Sequence, residues 1–275
     1  MADFSNYLLV SDYDHTLTDH TGHIPQRNLD AISYFMEHGG AFTINTGRSL
    51  PASRKILQNV PTNAPLLFCN GAGCYDLNKD ELVFCHPLPD DGIDFMRQCE
   101  QAYPDLRLEV HCLDKHYIFH PDEYRDAVLK RQQADFVYAT WDMVPTPCVK
   151  FSLYNWNESS ATVDPASEKG QYFRRVTDEI NALGMGRYTA TNSMPGLVEI
   201  QIAGTSKGLA ARELAEKLGR KILVAVGDAP NDLTMLQEAD LPFYVSDGDP
   251  RMLPYNFPQC APSYEGAVAD VIKKL

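Results

Sequence analysis

The stretch Leu-Leu-Val-Ser-Asp-Tyr-Asp-His-Thr-Leu-Thr, residues 8–18, is a short apolar run that leads into two aspartates separated by one residue. Because side chains alternate between the faces of a strand, extended backbone past Val10 would point Asp12 and Asp14 in the same direction. Two carboxylates placed in this way repel each other unless a proton, a basic side chain or a cation intervenes. This stretch alone is compatible both with a site for a hard cation such as Mg²⁺ and with a polar turn that is rich in aspartate.

The residues that follow predict a Rossmann-like α/β core, which is a doubly wound parallel sheet. Apolar runs at 7–10, 41–45 and 65–69 alternate with helical patterns at 26–38 and 50–57, and this order is typical of parallel sheets. The three runs end in Asp-x-Asp, in Thr-Gly-Arg at 46–48 and in Asn-Gly-Ala-Gly at 70–73. Ligands of such sheets bind at the carboxyl ends of the strands, so these polar residues are candidates for one site.

The middle of the chain has a different pattern. Residues 86–185 combine short strand patterns at 107–110, 115–119 and 148–153 with helical patterns at 91–103, 121–134 and 168–183. This mixture indicates an inserted α+β unit with an antiparallel sheet. We therefore predict a core domain made of residues 1–83 and 188–275 and an inserted domain made of residues 84–187. A strand at 197–202, a helix at 209–218 and an apolar strand at 222–226 are assigned to the core.

Composition limits the classes of partner. The chain has 275 residues and a formal net charge of −13, which argues against nucleic acid or an acidic membrane but allows a small phosphate ester. No run of about 18 apolar residues is present, and no basic segment precedes the first strand, so neither a membrane span nor a signal peptide is expected. The seven cysteines are scattered without a Cys-x-x-Cys pair, which argues against a disulfide framework or a zinc site and indicates a reducing cytoplasm.

Four motifs together resemble those of the haloacid dehalogenase superfamily of phosphohydrolases. They are Asp-Tyr-Asp-His-Thr-Leu-Thr at 12–18, Thr-Gly-Arg at 46–48, Lys-Gly at 207–208 and Gly-Asp-Ala-Pro-Asn-Asp at 227–232. The long insertion, the Asn-Gly-Ala turn at 70–72 and Val-Glu-Ile at 198–200 resemble the Cof-like subgroup, which carries a C2-type cap domain. One position departs from the family pattern, because His15 stands where the family usually has glycine.

The resemblance implies a Mg²⁺-dependent phosphatase in which Asp12 is the nucleophile and Asp14 is the general acid and base. Lys207 is expected to place positive charge beside Asp12 and the phosphoryl group. The expected metal ligands are Asp12, the main-chain carbonyl of Asp14, and Asp228. Asp232 is expected either to contact these ligands without binding the metal directly or to orient Lys207. Expected at the phosphate or substrate are Thr46, Gly47, Arg48, Asn70, Asn192, Asn231 and Lys207. Arg48 could instead brace its loop, and Asn192 could instead cap a turn.

The expected substrate is a small phosphorylated metabolite, such as a sugar phosphate, and the expected assembly is a monomer or a dimer. Two alternative functions are compatible with the same fold. One is a phosphatase of the sucrose-phosphate or mannosylglycerate-phosphate type, and the other is a phosphomutase. A non-catalytic metabolite-binding protein stays open in another class. Haloalkanoate dehalogenation fits less well, because that chemistry does not need the acidic set of Asp14, Asp228 and Asp232. The scattered histidines, among them His111 and His116, are expected to be structural.

Overall fold

The computed structural model describes residues 3–155 and 158–275, and the chain divides into two compact units. The core unit comprises Met1–Gly47, Asn59–Phe84 and Ser206–Leu275, and the inserted unit comprises Arg48–Gln58 and Cys85–Thr205. The inserted unit is therefore longer than the domain predicted from the sequence. It extends to Thr205 instead of residue 187, and it includes a segment that precedes the insertion in the chain.

Strands and helices alternate through most of the described chain. The strands are β1 (Tyr7–Ser11), β2 (Ala41–Ile44), β3 (Leu66–Phe68), β4 (Gly73–Asp76), β5 (Glu81–Cys85), β6 (Arg107–Cys112), β7 (His116–Ile118), β8 (Phe136–Tyr138), β9 (Cys148–Tyr154), β10 (Tyr188–Thr191), β11 (Leu197–Ile202), β12 (Ile222–Gly227), β13 (Leu241–Val245) and β14 (Gln259–Cys260). The helices are α1 (Gln26–Glu37), α2 (Leu50–Ile56), α3 (Gly92–Ala102), α4 (Glu123–Arg131), α5 (Glu168–Leu183), α6 (Lys207–Lys217), α7 (Leu233–Glu238) and α8 (Ala267–Lys274).

The core unit is built on a parallel sheet, which confirms the predicted α/β class. Within the described residues its strand order is β14-β13-β12-β1-β2, and every neighbouring pair is parallel. The run predicted as a third strand of this sheet is wrong in that respect, because β3 belongs to a separate sheet in which it pairs antiparallel with β4. Leu8, Leu9 and Val10 of β1 are fully buried, because an inner strand of a parallel sheet is covered on both faces. The ladder continues past β1, where the Asp12 amide donates to the Val226 carbonyl at 2.9 Å. The carboxyl ends of β1 and β12 therefore lie side by side.

The inserted unit carries a second sheet, whose order in the described residues is β10-β11-β9-β6-β7-β8. Its neighbours are antiparallel except for β7 and β8, which are parallel. The prediction of an antiparallel sheet is therefore wrong at that edge. β10 and β11 follow the predicted boundary at residue 187, but they pair with each other and β11 pairs with β9. This pairing is the physical reason that the unit extends to Thr205.

The two faces of that second sheet differ in chemistry. One face packs against α3 and α5 in an apolar cluster that includes Leu108, Val110, Phe151, Leu153 and Ile200. Alternate positions of the same strands point the other way, and they carry buried charged and polar residues that include Arg107, Glu109, His111, Lys150 and Glu199. Charged groups are buried only when they are paired, so this polar face must contain ion pairs.

Helix α2 belongs to the inserted unit although the chain encodes it between β2 and β3 of the core. Ala52 of α2 lies in an apolar cluster with Ile118, Leu129 and Ala134, and Lys55 pairs with Asp135 at 3.0 Å. These contacts tie the segment after the Thr-Gly-Arg motif to the inserted unit. In the described part of the chain, no helix combines the length and the apolar character needed to span a membrane.

Candidate active site

Asp12 follows β1 directly and is only 6% exposed. The Nζ of Lys207 donates hydrogen bonds to the Asp12 carboxylate and to Oδ1 of Asp232, the latter at 2.6 Å. Burial disfavours the Lys207 ammonium, but the charges of Asp12 and Asp232 outweigh that effect and raise its pKa above the ordinary value. Lys207 therefore stays protonated, and it holds two carboxylates that are 220 positions apart in the chain close together.

The turn before α6 fixes the position of Lys207, which is the first residue of that helix. The side chain of Ser206 accepts a hydrogen bond from the Leu209 amide at 3.2 Å, as a residue at a helix N-cap does. Asn45, which follows β2, donates from Nδ2 to the Lys207 carbonyl at 2.8 Å. A Cβ on Gly208 would lie 2.2 Å from the Thr234 carbonyl oxygen, so only glycine permits this approach of α6 to α7.

Asp228 and Asp232 lie in the turn that follows β12. Asp228 is 7% exposed, and its Oδ1 accepts a hydrogen bond from the Thr16 hydroxyl at 2.7 Å. Asp232 is fully buried, and its Oδ2 accepts from the amides of Asp228 and Ala229 at 3.0 and 3.1 Å. Both oxygens of Asp232 are therefore engaged, one by Lys207 and one by the turn. This geometry corresponds to the orienting role, which is one of the two predicted for Asp232.

The acidic cluster, which we define as Asp12, Asp228 and Asp232, has carboxylate oxygens that lie within 4.8 Å of one another. Burial, reinforced by the charges of Asp232 and Asp12, raises the pKa of Asp228 well above its ordinary value. Burial also raises the pKa of Asp12 to about 7, although Lys207 opposes the shift and the charge of Asp14 adds to it. Lys207 thus balances only a part of the negative charge, which is a condition that favours binding of a divalent cation.

The turn that carries Asp14 is held by local hydrogen bonds. The amide and the hydroxyl of Thr18 donate to the Tyr13 carbonyl at 3.0 and 3.2 Å, and the Thr18 hydroxyl accepts from the His15 amide at 3.2 Å. His15 has φ of 62°, which is the left-handed region where glycine is the usual residue. The departure from the family pattern at His15 therefore keeps the conformation expected of glycine and adds an imidazole to the turn.

The residues predicted to bind phosphate also meet within the core unit. The Thr46 amide donates to the Leu67 carbonyl at 3.0 Å, and the Asn70 amide donates to the Thr46 carbonyl at 3.0 Å. The side chain of Asn231 donates to Oδ1 of Asn70 at 3.3 Å. A Cβ on Gly47 would lie 3.0 Å from the same oxygen. These contacts join the chain segments that follow β2, β3 and β12.

Two further predicted residues, Arg48 and Asn192, lie in the inserted unit. Oδ1 of Asn192 accepts from the Thr177 hydroxyl at 2.9 Å, and its Nδ2 donates to the Leu197 carbonyl at 2.8 Å. Asn192 therefore links α5 to the turn between β10 and β11, which is the turn role that the sequence left open. Arg48 directly precedes Ser49, whose side chain caps α2.

Three residues that support the site were not singled out from the sequence. The Thr16 hydroxyl donates a hydrogen bond to Asp228, and the Asn45 side chain donates one to the main-chain carbonyl of Lys207. Ser206 caps the helix that begins with Lys207. Thr16 lies inside the first motif, and Asn45 directly precedes Thr46, so a signal was available for both. Their partners are distant in the chain, and only the strand order of the sheet identifies them.

A second group with the geometry of a metal site lies in the inserted unit and consists of Glu109, His111 and His116. Arg125 donates to both carboxylate oxygens of Glu109 at 2.8 and 2.9 Å, and His116 and the Tyr154 hydroxyl also bond to that carboxylate. The charge of Glu109 is therefore already balanced by a guanidinium. This arrangement is an ion-pair network, which is the structural role expected of His111 and His116.

Comparison with known proteins gives matches over most of the chain. The sequence model for haloacid dehalogenase-like hydrolases matches residues 9–272. The 5-amino-6-(5-phospho-D-ribitylamino)uracil phosphatase YcsE of Bacillus subtilis is 25% identical over 236 residues, which cover 85% of this chain and 81% of that protein. The putative phosphatase YxeH of Bacillus subtilis is 24% identical, with coverage of 98% of this chain and 97% of that protein.

Solved structures agree with the fold of the chain. A haloacid dehalogenase-like hydrolase from Bacteroides thetaiotaomicron has a TM-score of 0.81 at 18% identity and covers 97% of this chain and 98% of its own. The sugar phosphatase BT4131, described as subclass IIB of the superfamily, has a TM-score of 0.78 at 16% identity, with coverage of 97% and 98%. The shared fold therefore includes the core and the insertion.

Proposed function

The chain belongs to the haloacid dehalogenase-like hydrolase family and, like its named relatives, is a phosphatase. We propose that it hydrolyses a small phosphorylated metabolite through a covalent intermediate on Asp12, with Mg²⁺ as cofactor. The observation that carries this proposal is the buried Lys207 ammonium between Asp12 and Asp232. A fixed ammonium beside a buried carboxylate opposes the rise in the pKa of Asp12 and can stabilise the charge of a phosphoryl group. A non-catalytic binding protein would not need this complete acidic and basic set.

The acidic cluster fits a divalent cation by the chemistry of its donors. Carboxylate and carbonyl oxygens are the ligands that Mg²⁺ prefers, and the raised pKa of Asp228 follows from burial among other carboxylates. Asp12, Asp228 and the main-chain carbonyl of Asp14 would hold the ion, while Asp232, whose oxygens are engaged by Lys207 and the turn amides, orients the lysine. When bound, Mg²⁺ would offset the charge of the phosphoryl oxygens and lower the pKa of the carboxylates.

The first half-reaction transfers the phosphoryl group to the enzyme. A carboxylate oxygen of Asp12 attacks phosphorus, and the bond between phosphorus and the ester oxygen breaks. Asp14 gives its proton to the leaving oxygen, so the product leaves as an alcohol. The Lys207 ammonium, the Thr46 hydroxyl and the Gly47 amide donate hydrogen bonds to the phosphoryl oxygens, where negative charge is concentrated.

The second half-reaction restores the enzyme. Asp14, which is now a carboxylate, removes a proton from water, and the water oxygen attacks the phosphorus of the aspartyl-phosphate. The bond between phosphorus and Asp12 breaks, which releases inorganic phosphate and leaves Asp14 protonated for the next cycle. Lys207 stays protonated in both steps, because its raised pKa is set by Asp12 and Asp232.

We propose a phosphorylated sugar or a sugar-derived alcohol as the substrate. Two comparisons support this class, since one relative is a phosphatase of a phosphoribitylamino compound and one similar structure is a sugar phosphatase. Arg48 would contact this substrate or brace its own loop, while Asn192 is engaged by Thr177 and Leu197. The assembly as a monomer or a dimer stays a prediction.

The test is the release of inorganic phosphate from a panel of hexose, pentose and polyol phosphates in the presence of Mg²⁺. We expect turnover of at least one ester, loss of turnover in EDTA and recovery on addition of Mg²⁺. Asp12→Asn is expected to abolish turnover because it removes the nucleophile. Asp30→Asn, which changes an exposed aspartate of α1, is the matched control and is expected to keep full activity.

Each other outcome points to a different assignment. Turnover that persists in EDTA would contradict the proposed cofactor. Labelling of Asp12 by a labelled ester without release of phosphate would indicate a phosphomutase. If no ester labels or releases phosphate while Mg²⁺ still stabilises the protein, the non-catalytic binding protein would be the better assignment.

A further inference from the structure

We propose that Cys112 and Cys148 form a redox-active thiol pair that closes into a disulfide within the inserted unit. Cys112 is the last residue of β6 and Cys148 is the first residue of β9, and the two occupy directly opposite positions on these antiparallel strands. Opposite residues of an antiparallel pair have Cα atoms about 4.5–5.5 Å apart. Disulfides bridge Cα separations of about 4.4–6.8 Å, so the backbone is already within the range that a disulfide needs.

An irregularity in the ladder creates this pairing. From Arg107 to His111, β6 pairs with β9 in a constant register, and continuation of that register would place Cys112 opposite Val149. The register instead shifts between His111 and Cys112, so that Cys112 faces Cys148. A bulge of this kind redirects a side chain and is a feature that local sequence patterns do not reveal.

The two thiols already interact. A hydrogen bond from Cys112 lowers the pKa of the Cys148 thiol, and the Cys148 thiol in turn donates to the Pro145 carbonyl at 3.0 Å. Burial instead raises the pKa of Cys74, Cys99 and Cys260 to about 12. The thiolate is the nucleophile in disulfide exchange, and Cys148, unlike Cys112, borders a cavity, so we assign Cys148 as the attacking member of the pair.

Cys148 borders a cavity of the inserted unit. Cys112 and Cys148 are only 1% and 4% exposed, but Cys148 lines a cavity of about 270 Å³ that Leu88, Met96 and Pro147 also border. A cavity of this volume has room for a small disulfide, and Asp90, which also lines it, would repel an anionic one such as glutathione disulfide. The oxidant that we assign is therefore a low-molecular-weight, uncharged disulfide.

The exchange balances in two steps. The Cys148 thiolate attacks one sulfur of the small disulfide, forms a mixed disulfide and releases one small thiolate. The Cys112 thiol then loses its proton and attacks Sγ of Cys148, which forms the protein disulfide and releases the second small thiolate. The two protons from the cysteines end on the two released thiolates, so the protein loses two electrons and the small disulfide gains them.

The test uses the full chain in its native state. Reduced protein is incubated with bis(2-hydroxyethyl) disulfide, then denatured and alkylated with iodoacetamide, and its intact mass and peptides are determined. We expect alkylation of two fewer cysteines than in the untreated protein and a cross-linked peptide that contains Cys112 and Cys148. Dithiothreitol is expected to restore full alkylation.

Three variants complete the experiment. Cys112→Ser is expected to stop at a mixed disulfide on Cys148, and Cys148→Ser is expected to leave Cys112 unmodified. Cys99→Ser, which changes another buried thiol of the inserted unit, is the matched control and should form the disulfide as the wild type does. Failure to oxidise either thiol, a cross-link between other cysteines, or a mixed disulfide on the wild type that does not resolve would each overturn the proposal. This inference does not rest on the phosphatase reaction, so the two can fail separately.

Discussion

Lys207 is the residue on which the electrostatics of the site depend most, because its side chain is completely buried between two carboxylates. Lys207→Met leaves Asp12 and Asp232 without their cation. We expect kcat for the chosen phosphate ester to fall by about 10²–10³, the loss typical of removing a fixed charge-stabilising donor. We also expect the free energy of unfolding to fall by about 3–5 kcal/mol, as when one partner of a buried ion pair is removed.

The measurements are steady-state kinetics and urea unfolding, each compared with Lys217→Met. Lys217 lies on the same helix, but its side chain is 46% exposed and its pair with Glu213 spans 3.7 Å. Exposed pairs of this kind contribute about 1 kcal/mol or less. A Lys207→Met enzyme that retained kcat within a factor of about three of the wild type would be inconsistent with the proposed role of the ammonium.

The pKa of Asp228 leads to a prediction on stability and pH. In the absence of metal, the folded-state pKa of Asp228 is raised above its unfolded value, mainly by burial, so the folded protein binds a proton that the unfolded chain releases. The stabilisation that the protonated carboxyl group of Asp228 provides is therefore lost as the pH rises above about 4. Asp228→Asn, which cannot ionise, is expected to match the wild type near pH 4 and to be more stable than the wild type at pH 8.

Chemical unfolding between pH 4 and pH 8, with and without Mg²⁺, measures this difference. We expect Mg²⁺ to stabilise the wild type at pH 8 and to have little effect on Asp228→Asn. Asp240→Asn is the control of opposite sign, because the Leu223 amide and Arg212 outweigh burial and lower the pKa of Asp240. That variant should be less stable than the wild type at pH 8. An Asp228→Asn protein that lost stability with rising pH relative to the wild type would contradict the assignment.

Among the structural elements, β6 of the inserted unit depends on a buried ion pair. Glu109 is fully buried and its partner Arg125 is 22% exposed at the side chain. We expect Glu109→Leu or Arg125→Met alone to lower the free energy of unfolding by about 3–5 kcal/mol, because each leaves an uncompensated charge. The double variant should lose much less than the sum of the two, since it removes both charges together.

A double-mutant cycle on urea unfolding of the full chain measures this coupling. The exposed pair of Lys169 and Glu158, with side chains 44% and 41% exposed, provides a second cycle in which coupling of about 1 kcal/mol or less is expected. If the Glu109 and Arg125 variants were simply additive, the buried pair would not be the interaction that stabilises β6.

The limits of the sequence as a guide are clearest at the ends of helices. The sequence predicts helix α6 from Leu209, whereas the helix begins at Lys207 because Ser206 caps it. Helix α4 was predicted from 121–134 but spans Glu123–Arg131, since Asp122 caps it by accepting from the Arg125 amide at 3.0 Å. Periodicity locates the buried face of a helix, but cap hydrogen bonds set its ends.

For the whole molecule, the core could be predicted in more detail than the insertion. Four motifs at strand ends suffice to place Asp12 and Asp228 together, because the ends of neighbouring parallel strands must meet, and β1 and β12 are neighbours. No comparable rule identifies partners across the inserted sheet. Alternation shows that Glu109 and His111 share a face, but it cannot show that Arg125 covers Glu109 or that a bulge moves Cys112 opposite Cys148.

The net charge of the whole chain limits which phosphate esters can approach the site. The chain carries 37 acidic and 24 basic side chains, so its long-range field repels polyanions far more than it repels a small dianion. We therefore expect kcat/KM for a 5′-phosphorylated oligonucleotide to be much lower than for the corresponding mononucleotide, which carries the same terminal phosphate. We also expect the oligonucleotide rate to rise between about 10 and about 200 mM salt, because screening shortens the range of repulsion from roughly 30 to under 10 Å.

The mononucleotide rate should change little over the same range of salt, since its charge is small and the groups proposed to bind its phosphate, around Lys207 and Asp12, are buried and therefore little screened by salt. Phosphate release from both esters, measured at several salt concentrations, separates repulsion by the whole molecule from recognition in the site. A low oligonucleotide rate that salt does not raise would mean that shape, rather than charge, excludes the polymer. Equal rates for the two esters at low salt would contradict the prediction. They would mean that the negative potential of the acidic residues is weak where a substrate enters the site at Asp12.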